Sequence, residues 1–128
     1  MTSECIEKPW GSEVIIANKP ENGCKLLTVK QGHRLSLQRH QQRDEMWYVL
    51  SGNAIVTIGT VKMVLRPGSM VSILRNVWHR LGAGKTDVQI IEVTNGYAEG
   101  DIERKEDDYG RKRREKSNES NNRPNHLG

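Results

Sequence analysis

The sequence has few large apolar residues. It contains no Phe, aromatic residues make up 5% of the chain, and hydrophobic residues make up 34% of its 128 positions. A chain of this length and composition buries one modest core, so we expect a single folded domain. It has no apolar run long enough to span a bilayer and no hydrophobic stretch typical of a signal peptide. We therefore expect a soluble, cytoplasmic protein without a membrane partner.

Cysteine is also scarce. The two cysteines, Cys5 and Cys24, are too few and too far apart for a disulfide framework or a zinc knuckle, so we expect free thiols. The segment 112–128 is poor in apolar residues too, with Leu127 alone among charges, Asn, Ser and Pro. Such a segment cannot bury enough apolar surface to offset the entropy lost on ordering. We expect residues 112–128 to form a disordered basic and polar tail.

The net charge of +4 includes a basic run at residues 111–114, followed by Lys116. Basic runs are one signature of arms that bind nucleic acid. This run is short, and Tyr109 is the single aromatic residue near it that offers base stacking. We therefore interpret the run as the solvated start of the tail and expect no nucleic-acid partner.

Short β-type runs separated by turn signals fill the middle of the sequence, and no segment shows helical periodicity. About nine runs at spacings of roughly 8–12 residues predict an antiparallel sandwich or barrel. The segment 18–23 ends in Asn22-Gly23, a strong turn signal. The polar stretch 100–110 holds either one helical turn or a wrap around the barrel. The predicted strands are 12–17, 24–30, 34–39, 45–50, 53–58, 61–65, 70–74, 78–81 and 88–94.

Four potential metal ligands occur in and near these strands. Residues two apart in a strand face the same side, so Gln38 and His40 point to one face. If residues 41–43 reverse the chain, Glu45 faces the same interior, and His79 joins from a third segment. Imidazole, carboxylate and amide oxygen together suit zinc, manganese, iron or cobalt. Each residue alone is more often an ordinary core or surface side chain, but together they predict a site for one divalent metal ion.

The spacing of these residues is Gly-x5-Gln-x-His-x4-Glu-x6-Gly, from residue 32 to residue 52. It resembles the first cupin motif, with Gln38 in place of the usual first His, and Pro67-Gly68 followed by His79 resembles the second. More narrowly, residues 8–111 resemble the cupin domain of type II mannose-6-phosphate isomerases. The segments that carry this resemblance are Lys8-Pro9-Trp10-Gly11, Leu35-Ser36-Leu37-Gln38-x-His40, Arg43-x-Glu45-x-Trp47, His79-Arg80-Leu81, Ile91-Glu92-Val93, Asp101-Ile102-x-Arg104 and Asp108-Tyr109-Gly110-Arg111.

The resemblance implies a single cupin (jelly-roll) β-barrel over residues 1–111. It implies a homodimeric, metal-dependent isomerase that interconverts mannose 6-phosphate and fructose 6-phosphate. Zinc is the metal we expect first, with manganese, iron or cobalt as alternatives. Long family members carry a nucleotidyltransferase domain ahead of the cupin, and this chain begins just before Lys8, so we expect no pyrophosphorylase activity. The chain departs from the family at Arg75, usually Pro, and Ala83, usually Asn, which we expect in turns flanking the His79 strand.

Isomerisation requires a general base. Moving a carbonyl between C1 and C2 removes a carbon-bound proton while negative charge builds on oxygen, and the base needs a pKa near the working pH. Glu92, Lys8 and His33 are the candidates. Glu92 has an equally good interpretation as a structural partner of Arg104 or Arg111.

The substrate's phosphate requires fixed cations, and Arg suits it because of its planar fork of donors. The candidates are Arg43, Arg80 and Arg111, and we favour the last two, although each is also an ordinary surface charge. Trp47 shares parity with Glu45 along the strand, so it lies either in the pocket wall or in the core.

Two other functions stay open. One is a non-catalytic cupin that binds or senses a sugar and keeps the metal site. The other is a different metal-dependent cupin enzyme, such as an oxygenase. Gln38 in place of a histidine weakens the nitrogen-rich ligand set that redox iron favours, so the oxygenase is the weaker alternative.

Overall fold

The computed structural model describes residues 4–96, 98 and 100–111, so the predicted tail at 112–128 lies outside the described residues. Within the described part of the chain there are eleven strands and no helix. Accordingly, no helix there is long and apolar enough to cross a membrane. The strands are β1 (Glu4–Lys8), β2 (Gly11–Lys19), β3 (Asn22–Val29), β4 (Leu37–Arg39), β5 (Glu45–Ser51), β6 (Ala54–Ile58), β7 (Val61–Leu65), β8 (Met70–Ile73), β9 (His79–Ala83), β10 (Val88–Thr94) and β11 (Glu103–Glu106).

The strands form two antiparallel sheets. One has six strands in the order β1-β2-β3-β10-β5-β8, and the other has five in the order β11-β4-β9-β6-β7. From β3 onward the chain changes sheet at every step except the β6–β7 hairpin. Because successive strands alternate between the sheets, the sheets enclose one interior and long-range pairs bring distant segments together.

All nine predicted strands exist, and two more are present. The predicted strands 61–65 and 88–94 match β7 and β10 at both ends, whereas the ends of the other seven differ. The predicted strand 34–39 is reduced to β4, and Arg34 forms a single bridge with Gly82. In the β2–β3 hairpin Lys19 pairs with Asn22, so the turn lies at Pro20-Glu21 and the expected Asn22-Gly23 turn is wrong. The polar stretch 100–110 contains β11, which pairs with β4, rather than a helical turn.

Two expectations about single residues are also settled. Cys5 and Cys24 are free thiols, as predicted. Arg75 lies in the turn between β8 and β9, where its backbone N–H donates to Asp44 Oδ1 at 2.8 Å. Ala83 is buried at the end of β9, so its expected place in a turn is wrong.

Gly52 fits a tight contact at the start of β6. Its φ is +78°, in the left-handed region, and a Cβ there would collide with the carbonyl oxygen of Asp87. Glycine is therefore required by both conformation and space. Gly52, the last glycine of the motif, thus allows the close contact with the backbone at Asp87 and has a structural role.

Along three neighbouring strands, β3, β10 and β5, the side chains that face the interior change from apolar to polar towards the same end of the barrel. In β10 the inward side chains change from Val88 and Ile90 to Glu92, and β3 and β5 lie beside it in register. One end of the interior is therefore an apolar core and the other is lined by polar groups. The buried core residues at the apolar end and around it include Trp10, Leu27, Val29, Leu35, Val49, Val56, Leu81, Val88 and Ile90.

Candidate metal centre and pocket

The polar end of the interior contains a small pocket between the two sheets. Most of the groups around it are almost fully buried, so its electrostatic interactions are only weakly screened by water. The residues that line it are Glu13, Lys25, Leu27, Leu35, Gln38, Arg43, Glu45, Trp47, His79, Leu81 and Glu92.

His40 and His79 are held in one orientation by backbone carbonyls. His40 Nδ1 lies 2.7 Å from the carbonyl oxygen of Asp101, and His79 Nδ1 lies 2.9 Å from that of Val77. A ring nitrogen facing a carbonyl carries the proton, so each neutral imidazole has its lone pair on Nε2. This second contact to a carbonyl is typical of histidines that ligate a metal.

The two Nε2 atoms face Glu45. His40 Nε2 lies 3.1 Å from Glu45 Oε2, and His79 Nε2 lies 3.7 Å from Glu45 Oε1. The three ligand atoms lie within 4.8 Å of one another, and all three residues are buried. This set of two imidazoles and a carboxylate suits one divalent ion.

Arg43 supplies positive charge on one side of this cluster. Its Nη2 lies 2.6 Å from Glu45 Oε2 and 3.1 Å from His40 Nε2. His79 Nε2, by contrast, is buried and has no hydrogen-bond partner among the described residues. Burial also lowers the pKa of His79, so its imidazole is neutral at pH 7. A buried, neutral and unpartnered lone pair is what a metal ligand offers, so the residues present fit a metal ion.

Glu45 remains ionised although it is buried. Burial acts to raise its pKa, but the positive charge of Arg43 opposes this effect and holds the pKa of Glu45 well below its usual range. Trp47 Nε1 also donates to Glu45 Oε1 at 3.1 Å. The carboxylate is therefore fixed in place as an anion, ready for a cation.

Gln38 lies beside this cluster. Its Cα pairs with that of His79 across β4 and β9, and its side chain is buried and lines the pocket. Its Nε2 donates to Ser36 Oγ at 3.0 Å. This bond orients the amide, and the role of Gln38 as a ligand stays a prediction.

Glu92 lies on β10, in the six-stranded sheet, and so on the wall of the pocket opposite Gln38. Its Oε2 accepts a hydrogen bond from Trp47 Nε1 at 3.3 Å. Burial raises the pKa of Glu92 to about 8, and the negative charge of Glu45 adds to the shift. Glu92 is therefore protonated at pH 7 in the absence of another cation, a perturbation typical of functional sites. Trp47 is both pocket wall and core, since its ring is 2% exposed and it bridges the two carboxyl groups.

Two of the predicted catalytic residues lie in different surroundings. Lys8 is partly buried, and burial lowers its pKa to about 8, with the charges of Lys25, Arg111 and Arg104 adding and that of Glu13 opposing. Lys8 does not line the pocket. His33 is exposed and does not line the pocket; its Nδ1 contacts the Tyr109 hydroxyl at 2.7 Å.

The predicted phosphate-binding arginines also differ in position. Arg43 lies in the pocket against Glu45. Arg80 follows His79 in β9 and so faces the other side of the sheet, where its Nε donates to the carbonyl oxygen of Leu35 at 3.0 Å.

Arg111 lies outside the pocket lining. Its Nε and Nη2 each lie 2.9 Å from an Asp107 carboxylate oxygen, and its guanidinium lies 5.6 Å from the centre of the Tyr109 ring. Both contacts fix the side chain near Lys8, whose pKa its charge helps to lower.

Three functional residues were missed in the sequence. Asp101 positions His40 through its carbonyl, and its carboxylate accepts from the backbone N–H groups of residues 41 and 42 at 2.8 and 2.9 Å. Glu13 and Lys25 line the pocket as a buried ion pair. The signal for the pair was available, since both fall on the inward parity of strands that were predicted. Asp101 belongs to a segment that carries the family resemblance, but its role has no local signal because its contacts are made across the barrel.

The family model described as mannose-6-phosphate isomerase C-terminal matches residues 2–107. The chain belongs to this family. Alginate biosynthesis protein AlgA of Pseudomonas aeruginosa is 42% identical over 109 residues, and xanthan biosynthesis protein XanB of Xanthomonas campestris is 41% identical over the same length. Mannose-1-phosphate guanylyltransferase ManC of Salmonella typhimurium is 37% identical. Each match covers 83% of this chain but 23% of the relative, so this member of the family spans under a quarter of their length.

Solved structures confirm the cupin fold of this family member. KdgF from Halomonas has a TM-score of 0.69 at 20% identity, covering 74% of this chain and 87% of that one. An RmlC-like cupin from Shewanella frigidimarina has a TM-score of 0.69 at 18% identity, with coverages of 74% and 85%. CapF from Staphylococcus aureus has a TM-score of 0.73 at 17% identity, covering 82% of this chain and 34% of that one. The predicted all-β cupin barrel is thus correct.

Proposed function

We propose that the protein is a metal-dependent aldose–ketose isomerase that interconverts mannose 6-phosphate and fructose 6-phosphate. The observation that carries this proposal is the juxtaposition, beside one pocket, of a His-Glu-His cluster and a buried carboxyl group, Glu92, that exchanges a proton near neutral pH. Membership of the mannose-6-phosphate isomerase C-terminal family supports it. The cytoplasmic location expected from the sequence is part of the proposal.

His40, Glu45 and His79 would hold the metal ion, with Gln38 beside them, and we propose zinc as the native ion. When bound, such an ion supplies Lewis-acid stabilisation of the negative charge that builds on the sugar oxygens during enolisation. The carbonyls of Asp101 and Val77 keep the two imidazoles in the tautomer this requires.

Glu92 is the proposed proton carrier. In its carboxylate form it takes the proton from C2 of the aldose, which leaves an enediolate, and returns that proton to C1, while the hydroxyl proton passes from O2 to O1. The Trp47 N–H donates to both Glu45 and Glu92, and so fixes the distance between the two carboxyl groups during the transfer. The apolar end of the interior keeps bulk water from the enediol, because Leu27, Leu35 and Leu81 close the pocket there.

For the phosphate we propose Arg111 rather than Arg80. Arg80 faces away from the pocket and is engaged by the Leu35 carbonyl and Glu106. Arg111 is also paired, with Asp107, but its charge acts on the same region as that of Lys8. Lys8 and Arg111 together supply the positive charge that a dianion needs.

A coupled assay tests the proposed reaction directly. The metal-loaded protein is expected to convert mannose 6-phosphate to fructose 6-phosphate, to lose turnover with a chelator, and to regain it with zinc, manganese or cobalt. Unphosphorylated mannose is the matched substrate control and is expected to react at least tenfold less efficiently. Absence of turnover with every metal would contradict the isomerase and favour a cupin that binds sugars without catalysis.

We also propose that the protein is a homodimer formed through the outer face of the six-stranded sheet. On this face, five residues that are paired from strand to strand between β2 and β8 form a line of apolar side chains. Two of them, Tyr48 and Met70, are 39% and 60% exposed. Six strands of mostly seven to nine residues present roughly 700 Å². That is near the roughly 800 Å² per partner of a stable interface. The line consists of Val14, Leu26, Ile91, Tyr48 and Met70.

Tyr48→Glu tests this dimer, because it puts a charge at the centre of the apolar line. We expect the wild type to elute and sediment as a dimer and the variant as a monomer. Val64→Glu is the control, since Val64 is 62% exposed on the outer side of the other sheet and its variant should stay dimeric. A wild-type monomer, or a monomer produced by Val64→Glu alone, would contradict the proposed interface.

A further inference from the structure

Glu13 and Lys25 form a buried ion pair on the pocket wall, outside the metal-ligand cluster. Lys25 Nζ lies 3.4 Å from Glu13 Oε2, and the two residues are 8% and 2% exposed. Both line the pocket that also contains Glu45, His79 and Glu92. The mechanism proposed above gives this pair no task.

The pair retains hydrogen-bonding capacity that nothing in the described part of the protein fills. Glu13 Oε1 is buried and has no hydrogen-bond partner among the described residues. The ammonium group of Lys25 has three N–H donors, and its one hydrogen bond within those residues is the long one to Glu13. Buried polar atoms are rarely left unpaired, because each costs free energy when it is removed from water without a partner. A buried ion pair is also a weak source of stability, so packing alone gives little reason for it.

The position of the pair points to a ligand in the pocket. Lys25 lies directly opposite Glu92 in the β3–β10 register, and Glu92 lies opposite Trp47 in the β10–β5 register. These side chains share the inward face, so Lys25 is the next group along the wall from the proposed proton carrier. Glu13 extends the same wall on β2.

We infer that Glu13 and Lys25 bind the hydroxyl groups along the carbon chain of a sugar in this pocket. A hydroxyl accepts from the Lys25 ammonium and donates to Glu13 Oε1, so it satisfies both members of the pair at once. A phosphate dianion has no proton to donate to Glu13, and the negative charge of Glu13 repels it. The phosphate group of the sugar therefore does not bind at this pair. The inference rests on the proposed function for the identity of the sugar, and it makes the pair a determinant of substrate specificity.

The test compares two phosphorylated polyols that cannot isomerise because they have no carbonyl group. Hexitol 6-phosphate carries the full row of hydroxyls, and glycerol 3-phosphate carries a short one. Calorimetry on the zinc-loaded protein is expected to show tighter binding of the hexitol ligand. In the double variant Glu13→Met, Lys25→Met, the Kd for hexitol 6-phosphate should rise at least about tenfold, as expected for hydrogen bonds to charged groups. The Kd for glycerol 3-phosphate should change less than about threefold.

The matched control removes an exposed ion pair elsewhere. Arg34 and Asp108 lie 2.7 Å apart with side chains 47% and 44% exposed, and Arg34→Met with Asp108→Asn should leave both Kd values unchanged. Zinc content and melting temperature are measured for each protein. If the double Met variant does not fold, Glu13→Gln, which keeps the shape, is expected to weaken hexitol 6-phosphate binding selectively and supplies the result.

The outcomes separate the two proposals. If the wild type does not turn over mannose 6-phosphate but prefers hexitol 6-phosphate through the pair, the isomerase fails and the hydroxyl site stands. If the wild type turns over mannose 6-phosphate and the variants keep its preference for the hexitol, the isomerase stands and this inference is wrong. Equal weakening of both ligands, or no preference in the wild type, also overturns it.

Discussion

Replacing His40 and His79 by alanine is expected to remove the metal ion and to abolish isomerase turnover. Each substitution deletes an Nε2 lone pair that faces Glu45 in a buried cluster. Changes to groups that merely orient a metal ligand typically cost 10–100-fold in affinity. Loss of two ligands of the set should therefore reduce metal affinity by more than about 100-fold.

Elemental analysis after purification measures this effect, with zinc titration of chelator-treated protein as a second readout. The wild type should contain about one divalent ion per chain. His33→Ala is the control because His33 is an exposed histidine outside the pocket, bonded to Tyr109. Full metal retention in the His40→Ala, His79→Ala protein would show that the cluster is not the metal site. Loss of turnover in His33→Ala with metal retained would restore His33 as the base.

Strand parity accounts for part of this cluster. Gln38 and His40 were assigned to one face, and the structure places Gln38 opposite His79 across β4 and β9. The geometry of two residues in one strand follows from the pleat alone, so it can be read from sequence. The same parity also places Arg80 outside the pocket once His79 is inside it.

Other features depended on long-range pairing and could not be predicted locally. β11 consists of charged residues, Glu103 to Glu106, and becomes a strand because β4 offers it an edge. The alignment of Lys25 with Glu92 is set by the β3–β10 register, which no local pattern encodes. The raised pKa of Glu92 follows from burial beside Glu45, and therefore from the whole barrel.

The second large effect is expected for Glu92→Gln. Glutamine matches the shape of the side chain and can still accept the hydrogen bond from Trp47, but it cannot take or return a proton. General acid–base catalysis contributes about 10²–10⁴-fold, so kcat for mannose 6-phosphate should fall by that factor. Zinc content and the Kd for hexitol 6-phosphate should stay within about threefold of the wild type, because Glu92 is not a proposed metal ligand and the hydroxyls are bound by Glu13 and Lys25.

A stability measurement on chelator-treated protein checks the protonation state of Glu92 without any turnover. Burial beside Glu45 raises the pKa of Glu92 to about 8 in the folded protein, against about 4.3 in an unfolded chain. Between these values the folded state binds more protons than the unfolded state, so this group's contribution to stability falls as the pH rises from about 4.3 to 8. Relative to Glu92→Gln, the wild type should therefore lose up to about 1.4 kcal/mol of unfolding free energy per pH unit in this window. Urea unfolding of both proteins at pH 5, 6.5 and 8 gives the two slopes of unfolding free energy against pH.

Equal slopes would mean that Glu92 is ionised at neutral pH and lacks the proposed environment. Different slopes with full turnover in Glu92→Gln would transfer the role of base to Lys8, because burial also brings the pKa of Lys8 to about 8.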